Sequence, residues 1–346
     1  MASVVSDALE RPRAMNAARA ATIWIALGVA ACVVLVASLA LGSVALPVSR
    51  ALTALLHARA ANPDIADEIV LTLRLPRALA GFASGALLAL AGALLQVLLR
   101  NPLAEPYVLG VSGGAATFAL AAMLASSPWW GVDLAACAGA FASIVIVLGL
   151  ARRDVWRSGQ DASPRLLLTG VVIASGWGAL ITLMLSIAPE NRLRGMIFWL
   201  TGDLNGAAPP WPALIALGVA LAVTVPVAPQ LNVLLRGDAA AHALGVPVAR
   251  LRLRVYLVAS LAAAAAVTTA GTIGFVGLVV PHLLRLAFGN DQRMLVPAAA
   301  LGGGLAVMAA DLAARTVIAP AQLPVGVVTA LTGVPMFLWM LLRRPR

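Results

Sequence analysis

Gly110, Val111, Ser112, Gly113 and Gly114 spell the G-x-S-x-G pattern that presents the serine nucleophile in many hydrolases, and His282 lies in another apolar stretch, where it would act as a base. That chemistry expects a strand before the serine and a helix after it, whereas Ser112 stands in a glycine-rich helical stretch where small residues serve close helix packing. Asp133 and Asp311 fall near the ends of apolar runs, and with His282 they are the candidates for a proton relay. The 24 cationic residues are all arginine. A phosphate-cradling P-loop needs a lysine, so this chain carries no Walker A motif, and any ATP that drives it is bound elsewhere.

These residues are set in a chain of 346 residues that is 62% apolar and 11% charged, far outside the range of water-soluble domains. The composition predicts an all-α polytopic membrane protein, because long Ala/Leu/Val runs satisfy their backbone in lipid as helices. Ten candidate spans follow from the polar and Pro/Gly-rich breaks, at about 21–46, 78–99, 106–126, 131–151, 165–187, 210–228, 250–270, 273–288, 295–313 and 324–342. The first is too long for a signal-peptide core and reads as a span. With both termini cytoplasmic, seventeen of the 24 arginines fall inside and seven outside, which satisfies the positive-inside rule and explains the net charge of +10 without nucleic acid. Cys32 and Cys137, both in apolar runs, read as small buried hydrophobes. The whole of 1–346 reads as one transmembrane domain in contact with lipid.

Between the sixth and seventh spans lies a polar island, Pro229 to Arg254. Leu231, Leu234, Leu235, Ala241 and Leu244 fall close to one stripe of a short helix ending at Gly245, with Arg236 and Asp238 as its polar rim. Such a helix lies on lipid, on the protein's own base, or in the groove of a cytoplasmic partner.

Several blocks together carry a resemblance: LRLPR at 73–77, RNPLAEPYVLGVSGGA at 100–115, LNVLLRGDAAAHALGV at 231–246, GTIGFVGLVVPHLLR at 271–285 and LPVGVVTALTGVPMFLWML at 323–341. In this order and spacing the chain resembles the FecCD-type family, the permease subunits of bacterial ABC importers for iron-siderophores, haem and cobalamin. The resemblance implies the type II ABC importer permease fold, a homodimer in the inner membrane, two ABC ATPase subunits beneath it and a periplasmic substrate-binding protein above. It implies that ATP and Mg sit on the ATPases and that this chain holds no cofactor or metal and catalyses no reaction. Arg74, Arg77 and Arg315 match the outer arginines that receive acidic side chains of the binding protein, a role suited to exposed guanidinium groups. The 229–254 loop matches the coupling helix that sits in the ATPase cleft. The fifth and tenth helices line the implied path, and the outer segment Asn191 to Asn205 forms the gate. Met184, Glu190, Arg192, Arg194 and Met196 are its candidate path and gate residues. A proton-coupled secondary transporter is the main rival, and an intramembrane serine hydrolase a remoter one.

Overall fold

The computed structural model describes residues 17–42, 44–56, 64–156, 162–205 and 209–342. Both chain ends, and with them Arg11, Arg13, Arg343, Arg344 and Arg346 of the charge count, lie outside the described residues, as do Arg59 and Arg157.

Among the described residues every regular element is helical: α1 (Ala17–Ala40), α2 (Val48–Leu56), α3 (Ile65–Glu68), α4 (Leu75–Leu98), α5 (Val111–Leu124), α6 (Trp129–Trp156), α7 (Ala162–Ile187), α8 (Glu190–Leu200), α9 (Trp211–Thr224), α10 (Ala228–Leu234), α11 (Asp238–Ala243), α12 (Val248–Ala270), α13 (Val276–Phe288), α14 (Gln292–Thr316) and α15 (Val325–Leu342). Seven helical stretches are long and apolar enough to cross a membrane: α1, Ile65–Leu98, Trp129–Leu150, Leu168–Ile187, Trp211–Leu234, α12 and α14. Three shorter apolar helices, α5, α13 and Val325–Met340, occupy the other expected positions. They are short because the chain spends residues on turns first. Pro106–Leu109 forms a 3-10 turn before α5, and α13 starts only at Val276, after the left-handed Gly271 and Phe275. The link between the first two expected spans is itself structured, as α2, α3 and a π-helical turn (Ile69–Arg74) that runs straight into α4.

The core is α4, a helix buried nearly all round among α12, α13 and α14. Lipid tails are as apolar as leucine, so helices here associate by close packing rather than by expulsion of water. Glycine makes the packing close. A Cβ at Gly85 would collide with the carbonyl of Gly303 on α14, one at Gly92 with the carbonyl of Gly277 on α13, and Gly114 and Gly139 face each other in the same way between α5 and α6. α1, α6 and α9 each leave large apolar side chains uncovered, and so do α7 and α15. Leu168, Val172, Leu183 and Ile187 on α7, and Leu331, Leu338 and Trp339 on α15, are left uncovered. Cys32 and Cys137 are exposed as well, which corrects the expectation that both are buried; α1 and α6 turn these small thiols outward.

Candidate functional site

The start and the end of α4 each gather arginines around a single aspartate. At the starting end, Arg77 Nε donates to Asp311 Oδ1 at 3.0 Å, and a second guanidinium nitrogen lies 2.9 Å from the same oxygen. Another Arg77 nitrogen donates to Gln322 Oε1 at 2.9 Å. Arg315, one turn beyond Asp311 on α14, approaches its other oxygen at 3.6 Å and donates to the carbonyl of Ser38 at 2.7 Å. Arg74 donates to the carbonyls of Leu39 at 2.7 Å and Ala40 at 3.0 Å, and to that of Val44.

Arg74 and Arg315 are therefore 6% and 5% exposed, and the expectation of freely exposed arginines is corrected for both. The physical reason is the end of α1, whose last carbonyls have no intrahelical partner and are satisfied by guanidinium donors. Arg77 keeps more of its surface. All three line an outward cavity of about 310 Å³. Asp311 is the buried counter-charge of this cluster rather than a free proton carrier.

Beside it stands α8, the helix expected as a gate. Its last turn is fixed where Thr272 donates to the carbonyl of Leu200, and where Gly271 and Gly326 admit the backbone of Trp199 and Thr201 at distances a side chain would forbid. Glu190 and Arg194 are exposed, with Arg194 over the Phe198 ring at 5.6 Å. Arg192 is not free to attract anions, since it donates to the carbonyls of Met123, at 3.1 Å, and Leu124 at the end of α5. Met196 is fully buried and packs, which removes it from a path surface, while Met184 on α7 is half-buried. Asp203, just past α8, accepts from the Asn205 N–H, and burial pushes its carboxyl upward.

At the finishing end of α4 lies the polar island. Instead of one helix it forms two, α10 and α11, because Gly237 at φ +113° breaks the run. Leu231, Leu234 and Ala241 are buried against the protein's own base, Leu235 is half-buried and Leu244 is exposed, so the expected single apolar stripe is split between inside and outside. Asp238 is no rim residue. It accepts from Arg252 at 2.8 and 3.0 Å and pairs with Arg100. What the island shows outward is Arg236, Ala239, His242, Ala243, Leu244 and Gly245.

Sequence reasoning missed Arg100 and Arg252 as functional candidates, and also the polar residues that anchor the α4–α5 loop. Glu105 accepts from the Phe275 N–H at 3.0 Å, and its carboxyl is pushed up by burial. The Tyr107 hydroxyl bonds both the N–H and the carbonyl of Ile273. Inside, Gln96 takes a bond from Arg285 at 2.8 Å and donates to the carbonyl of Leu278 at 3.2 Å. These contacts knit the RNPLAEPY block to the GTIGF block.

Ser112 is the second residue of α5, entered from a 3-10 turn and left-handed Gly110, so the strand-to-helix elbow of a nucleophile is missing.

A multi-pass helical bundle with a tight glycine-packed centre, apolar helices uncovered around it and a small helical pair at one end is the membrane subunit of a transport system. The chain belongs to the FecCD transport family, which it matches over residues 30–343. It is 43% identical over 284 residues to the cobalamin import system permease protein BtuC of Halobacterium salinarum, covering 81% of this chain and 74% of that one. It is 40% identical over 297 residues to the hemin transport system permease protein HmuU of Yersinia pestis, covering 81% and 85%. A solved structure described as an inward-facing conformation of a metal-chelate type ABC transporter superposes with a TM-score of 0.79 at 28% identity, over 94% of this chain and all of the other. The chain is thus an ABC importer permease, a transport component and not an enzyme, and the hydrolase and proton-coupled readings fall.

Proposed function

We infer that the chain, as one transmembrane domain of ten passages with both termini cytoplasmic, forms a homodimer in the bacterial inner membrane and imports a metal chelate: an iron-siderophore, haem or cobalamin. Two ABC ATPase subunits bind ATP and Mg and dock on the α10–α11 pair, while a periplasmic binding protein delivers cargo at the cavity of Arg77, backed by Arg74 and Arg315. The uncovered faces of α7 and α15 line the path between the two copies, and their sparse polarity suits a bulky cargo that must be released. Glu190, Arg194 and Met184 border its outer mouth.

The observation that carries this reading is the division of α11 into two faces. Ala241 is buried, and Ala239 and Ala243 are presented outward, small enough for close approach by a partner, with Leu244 exposed just past the helix. ATP binding in the partner would move this pair and shift the equilibrium of the path helices.

The test is uptake into proteoliposomes holding the permease with its ATPase and binding protein, offered labelled cobalamin, haem and a ferric siderophore with and without ATP. ATP-dependent accumulation of one is expected. A Leu244→Glu variant should remain folded yet lose ATPase binding at least tenfold. Accumulation driven by a proton gradient without ATP would overturn the proposal.

A further inference from the structure

At the finishing end of α4 the backbone contains a residue in an unfavourable conformation. The Arg100 N–H bonds the carbonyl of Val97 at 3.2 Å and the Asn101 N–H bonds that of Gln96 at 3.2 Å, the paired bonds of a Schellman termination. The residue at its centre must be left-handed, and glycine is the usual occupant. Here it is Arg100, at φ +47°. A side chain at that φ is uncommon and costs free energy, and residues held so cluster at functional sites.

The Arg100 side chain leads to Asp238, the first residue of α11. On its other side Asp238 meets Arg252, whose side chain is 9% exposed near the start of α12. One carboxylate therefore joins three separate elements: α11, the end of the central helix α4, and α12. Beyond the joint the route is stiff, since α4 meets α13 and α14 glycine against backbone at Gly92 and Gly85.

We propose that Arg100, Asp238 and Arg252 form the mechanical joint that transmits displacement of α11 to α4 and α12, with Arg100 and Asp238 as positioning residues for transport. This rests on the reading of α10–α11 as the ATPase docking element. Motion of α11 relative to the bundle is resisted at the point where both guanidinium groups hold one carboxylate, so displacement of the short helix is carried into the core. Without the joint, α11 would swing on Gly237, the φ +113° glycine immediately before it.

Arg100→Gly separates this role from a structural one. Glycine fits the left-handed backbone better than arginine, so a residue needed only for folding would be replaced without loss. The full complex with its ATPase, in a Cys32→Ser and Cys137→Ser background, would carry spin labels at Ile187→Cys and Val317→Cys. Both positions are exposed, at the ends of α7 and α14 on the far side from the joint. In the parent complex Mg-ATP should change the distance between the labels. In Arg100→Gly the complex should still assemble and bind ATP, with the change reduced to less than a third. Asp238→Asn should behave alike, and the double exchange Asp238→Arg with Arg252→Asp should recover part of the change. Full retention of the change in Arg100→Gly would overturn the joint, as would its absence in the assembled parent complex. Failure of the parent chain to assemble with the ATPase would overturn the docking reading instead.

Discussion

The two ends of α4 use the same three charges for different ends. At the end of α4 that the proposed topology places outside, Asp311 stands between Arg77 and Arg315, with side-chain exposures of 2%, 13% and 6%. At the end that the proposed topology makes cytoplasmic, Asp238 stands between Arg100 and Arg252, with exposures of 15%, 33% and 9%. The outer triad ties together two long helices that already pack glycine to glycine, and its carboxylate is buried although Arg77 opens onto the cavity. It is part of the frame. The inner triad ties a helix of six residues to that frame and is partly wet, so its pairs can be re-formed as the short helix moves. Burial, rather than the charges themselves, distinguishes a strut from a joint.

The largest expected effect is at the strut. Asp311→Ala leaves Arg315 buried and Arg77 half-buried without their counter-charge, a loss of about 3–5 kcal/mol for a broken buried pair. Thermal unfolding in detergent should show little folded protein. A melting temperature equal to that of the parent would erase the distinction between the two ends. Asp238→Ala should cost less, about 1–2 kcal/mol, because Arg100, a third exposed, stays hydrated once the carboxylate is gone and only Arg252 is left buried. This variant should insert, fold and purify, and its defect should be in ATP-driven motion. If it unfolds as readily as Asp311→Ala, the inner triad is also a strut.

Much of this was legible in the sequence, and the failures have a common cause. All-helical architecture and the positions of the apolar helices followed from apolar run length and turn residues, whereas the segment Asn191 to Asn205, with α8 at its start, came from the family resemblance. Arg315 and Asp311 were readable as a pair from their spacing of four on one helix. The pairing of Arg77 with Asp311 spans 234 residues, and that of Arg100 with Asp238 spans 138, so no local pattern announces either. The apolar stripe of Leu231, Leu234, Leu235, Ala241 and Leu244 misled because helical periodicity was carried through Gly237, where the chain turns. Arg74 and Arg192 read as free cations because a sequence does not show which helix ends lie nearby needing donors. The polar Arg-Asn-Pro turn that closes α4 is visible in the sequence, but the left-handed backbone of its Arg100 is not.

A third aspartate-arginine pair extends the series to the surface and gives the smallest effect. Asp291 caps α14 by accepting the Arg293 N–H at 3.0 Å, and it is held by the exposed Arg293 side chain and by Asn232. The hydrogen bond from Arg293 holds its carboxyl below the ordinary value of 3.8, ahead of the opposing effect of burial. A carboxylate lowered in the folded state adds stability that is fully present above the ordinary value. That stability is lost as pH falls from 3.8 through the lowered one. Asp291→Asn preserves the cap but removes the charge, so it should lower the melting temperature at neutral pH by only about one or two degrees. The difference from the parent should vanish in acid below the lowered value and shrink in high salt, because an exposed pair is screened. A large loss at neutral pH, insensitive to salt, would show that solvent exposure does not rank these three sites.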